Sequence, residues 1–272
     1  MANFLAPADL SKTLVSVGQK KASLDVGRMI VLGILAGVYI GFAAHLATTV
    51  STGDCDWFGL KRFFTGAVFT VGLMLVVIPG SELWTGNNLM TIALMDKKIS
   101  LGAMVKNCIF VYIGNLIGSI FLAWIIASMS GLTNGPVGAN AITIASGKCS
   151  APAVELVFRG IGCNWLVCLA VMMAIASQDI AGKVLGIFFP IMAFVASGFE
   201  HSIANMYFIP AGLFSKAFAN ATGKISANVL DALSVGGFIK NLTWVTLGNF
   251  IGGALFTGVI YWWVYVRGSE AK

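Results

Sequence analysis

Long apolar segments dominate this chain and restrict it to a membrane-spanning fold. A helix needs roughly 20 consecutive apolar residues to cross the hydrocarbon core of a bilayer. The chain is 58% hydrophobic and only 10% charged, whereas soluble domains carry about 25% charged residues. We therefore predict an all-α membrane protein with six transmembrane helices. The predicted spans are residues 29–50, 63–79, 107–127, 160–176, 184–197 and 241–266.

The second and fifth spans are interrupted by related polar stretches. Residues 80–87 read "GSELWTGN" and residues 198–205 read "GFEHSIAN", so both follow the pattern G-x-E-x-x-x-x-N. A second pair, "GNLIG" at 114–118 and "GNFIG" at 248–252, lies in the third and sixth spans. Four landmarks in the same order indicate a repeat of three spans. An odd number of spans per repeat makes the halves antiparallel, and inverted repeats with broken helices are typical of transport proteins.

The interruptions predict breaks in the helices of the second and fifth spans. Non-helical backbone at membrane depth must be buried in protein or line a wet cavity. Gly80 and Gly198 permit the unusual backbone angles of such a break. Glu82 and Glu200 are expected at the start of the following half-helix, where a carboxylate accepts free backbone N–H groups. We favour this structural role over substrate binding for both glutamates.

Other repeated residues are assigned structural roles. Asn87 and Asn205 end the two break motifs and are expected to connect loop backbone. The glycines of 114–118 and 248–252 are small residues at a spacing that allows close approach of two helices. They predict packing contacts and no direct chemistry.

The predicted domains are an N-terminal segment (1–28), a pore domain (29–266, with repeats at about 29–127 and 160–266) and a tail (267–272). Residues 9–24 have helical spacing of apolar residues, which indicates a helix on the inner membrane surface; a disordered tail is the alternative. Six spans put both termini on one side, and the positive-inside rule favours cytoplasmic termini in a cytoplasmic membrane. The basic residues on the predicted inner side include Lys12, Lys20, Lys21, Arg28, Lys97, Lys98, Lys183, Arg267 and Lys272, against Lys61, Arg62, Lys148, Lys216, Lys224 and Lys240 outside.

The charged residues and cysteines exclude several classes of function. The net charge is +6, but the cations occupy short loops, which indicates topology signals and contacts with membrane lipid rather than nucleic-acid binding. Five cysteines without a CxxC motif and only two histidines predict no metal or cofactor site. We expect a protein that is not an enzyme.

One histidine occupies a position that suggests function. His201 lies in the fifth-span break, and an ionisable residue inside a membrane is by default a functional candidate. Histidine can carry or lend a proton near neutral pH; the alternative is a neutral ring that satisfies loop carbonyls. Lys148 lies in the loop before the fourth span. It is either solvated or raises the local anion concentration at a pore mouth.

The string "FVASGFEHSIANMYFIP" resembles the motif of the formate/nitrite transporter family. "GLMLVVIPGSELWTGNNL", "GCNWLVCLAV" and "TLGNFIGGALFTGVIYW" are looser matches in the right order, so the resemblance covers nearly the whole chain. It implies an aquaporin-like fold without the aquaporin NPA motif, and a homopentamer with one pore per protomer. It also implies passage of small monovalent anions of weak acids.

The resemblance further assigns site residues by matching position. His201 is the central pore histidine, Thr85 is the hydroxyl that faces it, and Lys148 is the lysine of the outer vestibule. The remaining matches are Asn164 and Asn205 as polar residues near the pore, and Phe69, Phe194 and Leu73 as apolar constrictions on the two sides of the histidine.

One segment departs from the formate-channel pattern. Trp84 stands where formate channels usually carry phenylalanine, and Gly86, Asn87 and Asn88 replace a Ser-Thr stretch. The "WTGNN" segment is more similar to the hydrosulfide-channel branch. The predicted function is a pore for hydrosulfide, formate, nitrite or a similar anion, and the alternative is a channel for neutral small solutes.

Overall fold

The structure of the chain is a computed structural model. It describes residues 4–222 and 225–268, and the side chains of these residues except 217–222. Two of the cations used to predict orientation, Lys224 and Lys272, lie outside the described residues. The helices of the first half are α1 Pro7–Ala22, α2 Val26–Val50, α3 Phe58–Phe69, α4 Val71–Val77, α5 Trp84–Asn87, α6 Met90–Met95 and α7 Leu101–Trp124, which continues as a π-helix over Ile125–Met129.

The second half repeats this order of elements. Its helices are α8 Pro136–Ser150, α9 Ala153–Ala176, α10 Ile180–Ser197, α11 Ser202–Thr222, α12 Ala227–Ala232 and α13 Val235–Phe250, with π-helical turns at Ile251–Val259 and Trp262–Val266. Helix α8 lies in a stretch for which the sequence analysis predicted no helix. It begins with Pro136 at its first position, where the missing N–H of proline does no harm.

Six helical segments in the described residues are long and apolar enough to cross a membrane. Their bounds are Val26–Val50, Phe58–Val77, Leu101–Met129, Ala153–Ala176, Ile180–Ser197 and Val235–Val266. This confirms the predicted all-α fold with six spans. All six observed spans begin before the predicted N-terminal ends, because charged residues such as Lys61 and Lys106 lie within the first turns of helices.

The second and fifth spans both contain a non-helical break. Backbone without helical structure separates α4 from α5 at residues 78–83 and α10 from α11 at residues 198–201. Gly80 has φ = 93° and Gly198 has φ = 82°, in the left-handed region that glycine enters without the steric cost of a Cβ atom. The two breaks therefore share a glycine-dependent change of chain direction.

Each break is held by an asparagine from the last span of its own half. The Asn115 side chain in α7 donates to the Glu82 carbonyl (2.9 Å) and accepts from the Trp84 backbone N–H (3.0 Å). In the second half, the Asn249 side chain donates to the Glu200 carbonyl (2.9 Å) and accepts from the Ser202 N–H (2.9 Å). Backbone groups that leave a helix inside a membrane need such partners, since no water is available.

The repeated glycines allow close contact between the first and last span of each half. A Cβ atom at Gly118 in α7 would lie 2.1 Å from the Ile34 carbonyl oxygen in α2. At the equivalent Gly252, a Cβ atom would lie 2.2 Å from the Ile161 carbonyl oxygen in α9. These distances are far inside van der Waals contact, so only glycine fits. The predicted packing role of the repeated glycines agrees with these contacts.

Helix α1 packs against other helices of the protein. Leu10 and Leu14 are buried in a cluster with Ile92 of α6 and Val266 at the end of the last span. The segment before α1 is also attached, because the Leu5 N–H donates to the Ala176 carbonyl (2.8 Å). Apolar residues of α1 thus contact α6 and the ends of two spans.

Replacing Gly118 with alanine tests the close helix contact. We expect Gly118→Ala to destabilise the detergent-solubilised protein by about 1–3 kcal/mol, because the new methyl group must displace α2 backbone. Gly102 is the matched control, since it lies in the same helix and a Cβ atom there would meet only Ser100 Oγ at 3.9 Å. Thermal unfolding that is equal for Gly118→Ala and Gly102→Ala would contradict this packing.

Candidate pore site

His201 lies where the two halves of the chain meet. It is the last residue of the second break and is 3% exposed, and its Nε2 lies 2.8 Å from Thr85 Oγ1 in α5. Its other nitrogen, Nδ1, accepts the Ala204 backbone N–H at 3.2 Å. A nitrogen that accepts a hydrogen bond carries no proton, so the neutral ring is protonated at Nε2 and donates to the Thr85 hydroxyl. That hydroxyl keeps its own proton available for donation.

The first break contains a partly buried ion pair. Lys21 of α1 donates through Nζ to Glu82 Oε1 (2.7 Å). The Asn87 amide donates to Glu82 Oε2 (2.6 Å) and to Asn107 Oδ1 of α7 (2.8 Å). Asn107 in turn donates to the Lys21 carbonyl (3.2 Å), which closes the network. The charge of Glu82 is therefore compensated by a lysine and hydrogen-bonded by an asparagine, as a buried carboxylate requires.

The second break repeats this network with equivalent residues. Lys148 of α8 donates to both carboxylate oxygens of Glu200 (2.9 and 3.0 Å). The Asn205 amide donates to Glu200 Oε2 (2.6 Å) and to Asn241 Oδ1 of α13 (2.8 Å). Asn241 then donates to the Lys148 carbonyl (2.9 Å). The matching geometry extends the repeat to α1 and α8, each of which supplies the lysine of its half.

The partners of the two glutamates differ from those that the sequence analysis expected. Their carboxylates bind lysine and asparagine side chains, and α5 begins without a side-chain cap. Asn87 and Asn205 likewise donate to side chains, not to the loop backbone that was expected. A short motif gives no information on Lys21 or Lys148, which lie more than fifty residues away from these carboxylates in the chain.

A vestibule of about 570 Å³ leads from the α8 side of the protein to His201. Phe69 of α3 and Phe194 of α10 line its inner end, with ring centroids 5.7 Å apart. The Phe194 ring lies 5.9 Å from the His201 ring. Lys148 also lines the vestibule, with Nζ 5.2 Å from the centre of the Phe208 ring. The vestibule therefore changes from a charged wall to an aromatic wall as it reaches the histidine.

The α1 side of the protein has a much smaller cavity. It measures about 40 Å³ and is lined by Leu14, Val17 and Lys21 of the N-terminal region together with residues of α5, α6 and α9. Helix α1 thus covers the side of the protein opposite to the vestibule. Thr85, the partner of His201, is fully buried between these cavities.

Three further residues suggested by the resemblance are buried and do not line the vestibule. Asn164 of α9 donates to the Thr85 carbonyl (3.2 Å) and to the Asn249 carbonyl (2.7 Å), so it positions the backbone of Thr85. Trp84 packs edge-on against Tyr112 of α7, with ring centroids 5.4 Å apart. Leu73 is buried in the main apolar core together with Phe69 and Phe194.

Lys21, Asn107, Asn241 and the asparagines of the GN-x-x-G motifs were missed by the sequence analysis. A longer repeat would have identified the asparagines, since "KNCIFVYIGNLIG" (106–118) and "KNLTWVTLGNFIG" (240–252) both read K-N-x6-G-N-x-x-G. Lys21 has no comparable signal, because a lysine on an amphipathic helix usually faces water.

Fold and site together define a class of protein: a six-span membrane protein built as an inverted repeat, with a histidine and a threonine facing each other between its broken segments. The family model of the formate/nitrite transporter matches residues 8–263. The chain is 42% identical to a "Probable formate transporter" of Methanothermobacter thermautotrophicus, over 98% of this chain and 99% of the relative. The chain belongs to the formate/nitrite transporter family.

Two solved structures agree with this assignment. One, an "FNT family ion channel", has a TM-score of 0.82 and 33% identity, and the match covers 94% of this chain and 98% of that chain. The other, a "Pentameric formate channel with formate bound", has a TM-score of 0.77 and 36% identity, over 89% of this chain and 98% of that chain. The family resemblance and the fold that the sequence predicted are thereby confirmed.

Replacing Lys148 with methionine tests the partly buried ion pair. The side chains of Lys148 and Glu200 are 15% and 9% exposed, and removal of the lysine leaves the carboxylate without its compensating charge. We expect Lys148→Met to cost about 1–3 kcal/mol of stability, measured by thermal unfolding in detergent. The double variant Lys148→Met/Glu200→Gln removes both charges and is the control. A double variant that is no more stable than Lys148→Met would count against the pair.

Proposed function

We propose that this protein is a pore for small monovalent anions of weak acids, with His201 at its centre between apolar constrictions formed by Phe69, Phe194 and Leu73. The observation that carries the proposal is the vestibule, which is lined by cations and ends at the His201–Thr85 pair. Two of the proteins named above are described as a "Probable formate transporter" and a "Pentameric formate channel with formate bound", which makes formate the first candidate. Nitrite and hydrosulfide are the other anions proposed.

The aromatic inner end of the vestibule sets the main energetic problem of transport. A bare anion that leaves water for an apolar ring loses its hydration at a high cost in free energy, whereas the neutral acid loses much less. An anion that binds a proton near Phe69 and Phe194 would therefore cross as the neutral acid. The proton comes either from water or through His201.

The hydrogen bonds of His201 define how a proton would pass. In the neutral ring, Nε2–H donates to Thr85, so the free hydroxyl proton of Thr85 can orient an acid oxygen or sulfur. A proton that enters at Nδ1 must displace the Ala204 N–H, which opens the first turn of α11. Proton uptake by His201 would therefore be coupled to the start of that helix.

The assembly and location of the protein are part of the same proposal. We propose a homopentamer with one pore per protomer in the cytoplasmic membrane, with both termini cytoplasmic and membrane lipid around the outer helices. The similarity to a pentameric formate channel and the modest excess of cations on the predicted inner loops support this arrangement. We also propose that the protein is a multi-pass transporter and not an enzyme, as its membership of a transporter family supports.

Flux measurements test the proposed function directly. We expect proteoliposomes with the purified protein to take up formate, nitrite and hydrosulfide faster than empty liposomes, and uptake to rise as the external pH falls, because more anion can then bind a proton. Acetate extends the panel to a larger weak acid. A neutral-solute channel would instead give an uptake that depends only on the concentration of undissociated acid. Uptake that does not change when the anion concentration is raised at a fixed concentration of undissociated acid would contradict the proposal.

Replacing His201 tests its role at the centre. We expect His201→Phe to remove the pH dependence of anion selectivity, because a phenyl ring can neither bind Thr85 nor take up a proton. His201→Asn is the control for folding, since an asparagine at this position can still cap the N–H of Ala204. Size-exclusion chromatography checks assembly of both variants. Flux and pH dependence of His201→Phe that match those of the wild type would refute the role.

A further inference from the structure

Among the residues that the structure describes, one cation of the vestibule has no hydrogen-bond or ion-pair partner. Four cationic side chains line it, and three have partners in the described residues. Lys61 donates to the Gly53 carbonyl (2.7 Å), Lys148 binds Glu200 through both carboxylate oxygens, and Arg159 is paired with Glu155. The fourth is Arg62, half-buried in the first turns of α3.

The attraction of an anion by Lys148 is weakened by its pairing. Its ammonium group and the Glu200 carboxylate are opposite charges about 3 Å apart, so at larger distances they act as a dipole, whose field decays faster than that of a single charge. Arg62 has no carboxylate within 4.0 Å among residues 4–222 and 225–268. Long-range attraction from within the vestibule therefore comes from Arg62 and from Lys61, whose partner is an uncharged carbonyl.

Arg62 is placed close to the path that leads to His201. Its guanidinium carbon lies 5.3 Å from the centre of the Phe58 ring, which holds the side chain without using its N–H groups. A Cβ atom at Gly198 would lie 3.2 Å from Nη2 of Arg62, so the guanidinium lies beside the second break, three residues before the histidine. The glycine leaves this face of the break open to the vestibule.

We propose that Arg62 forms an outer anion subsite of the vestibule, selective for planar anions with two oxygen atoms. The inference rests on the proposed anion transport and adds a preference among its substrates. A guanidinium presents N–H groups in a planar fork that matches two acceptor oxygens at once. Formate and nitrite have two such oxygens, whereas hydrosulfide has one acceptor atom and gains only from the charge.

The alternative role for Arg62 is structural. The guanidinium lies near the C-terminal end of α10, where a cation interacts favourably with the helix dipole. This role predicts a loss of stability on substitution with no change in the relation between flux and salt concentration. Thermal unfolding and flux measured on the same samples distinguish the two roles.

The test compares Arg62→Gln and Arg62→Lys with the wild type in proteoliposomes. At about 10 mM salt, where the screening length is about 30 Å, we expect Arg62→Gln to raise the apparent KM for formate about tenfold with little change in maximal rate. At about 1 M salt, where that length is about 3 Å, the difference should become smaller, because long-range attraction is screened and only the lost direct hydrogen bonds to formate remain. Arg28→Gln is the matched control, because Arg28 is exposed at the start of α2 on the opposite side.

The Arg62→Lys variant keeps the positive charge but lacks the planar pair of N–H groups, so it separates the effect of the charge from that of the guanidinium geometry. We expect it to keep the wild-type KM for hydrosulfide and to raise the KM for formate and nitrite. If Arg62→Lys equals the wild type for all three anions, the preference for two oxygens is wrong; if Arg62→Gln equals the wild type at low salt, the subsite is wrong. Both results presuppose a wild type that transports anions, so a wild type without anion flux instead overturns the proposed function.

Discussion

The structure depends on satisfying two short stretches of non-helical backbone inside the membrane-spanning region. Asn115 and Asn249 bind both sides of the breaks, and Glu82 and Glu200 bind a lysine and an asparagine each. In lipid there is no water to replace these partners. The polar groups of the breaks therefore form hydrogen bonds and ion pairs with the spans and with the flanking helices α1 and α8. These contacts hold His201 and Thr85 within hydrogen-bond distance.

These networks separate the structural from the chemical residues of the repeat. The lysine, glutamate and two asparagines of each half form equivalent contacts, whereas the residues that meet at the centre are not equivalent. By the spacing of the break motifs, His201 corresponds to Leu83 and Thr85 to Ile203. The residues that are equivalent in the two halves thus stabilise the breaks. His201 and Thr85, which are proposed for function, differ from the residues at the equivalent positions of the other half.

The sequence predicted the parts of the fold that depend on local patterns. Apolar length predicted the six spans, and the repeated motifs predicted the two breaks and a close helix contact at the repeated glycines. The pairing of Lys21 and Lys148 with the glutamates depends on contacts between distant segments, which no local pattern encodes. Helix α8 was missed because its mixture of small, polar and apolar residues lacks a clear amphipathic face. The vestibule and the guanidinium of Arg62, which has no hydrogen-bond or ion-pair partner among the described residues, could not be predicted from the sequence. The chemistry of such a side chain depends on its hydrogen-bond partners and its exposure, which only the structure shows.

The equivalence of α1 and α8 has a consequence for how such a chain is assembled. A polypeptide of half this length, made of one lysine-bearing helix and three spans, would contain every member of one ion-pair network. Two identical copies inserted in opposite directions would recreate both networks, and every pair of residues that meets at the centre would then occur twice. In this chain the two halves differ, so the imidazole–hydroxyl pair of His201 and Thr85 occurs once, and Leu83 and Ile203 take the equivalent positions. Fusion of two halves with different side chains thus combines an unsymmetrical centre with a symmetrical scaffold in one polypeptide.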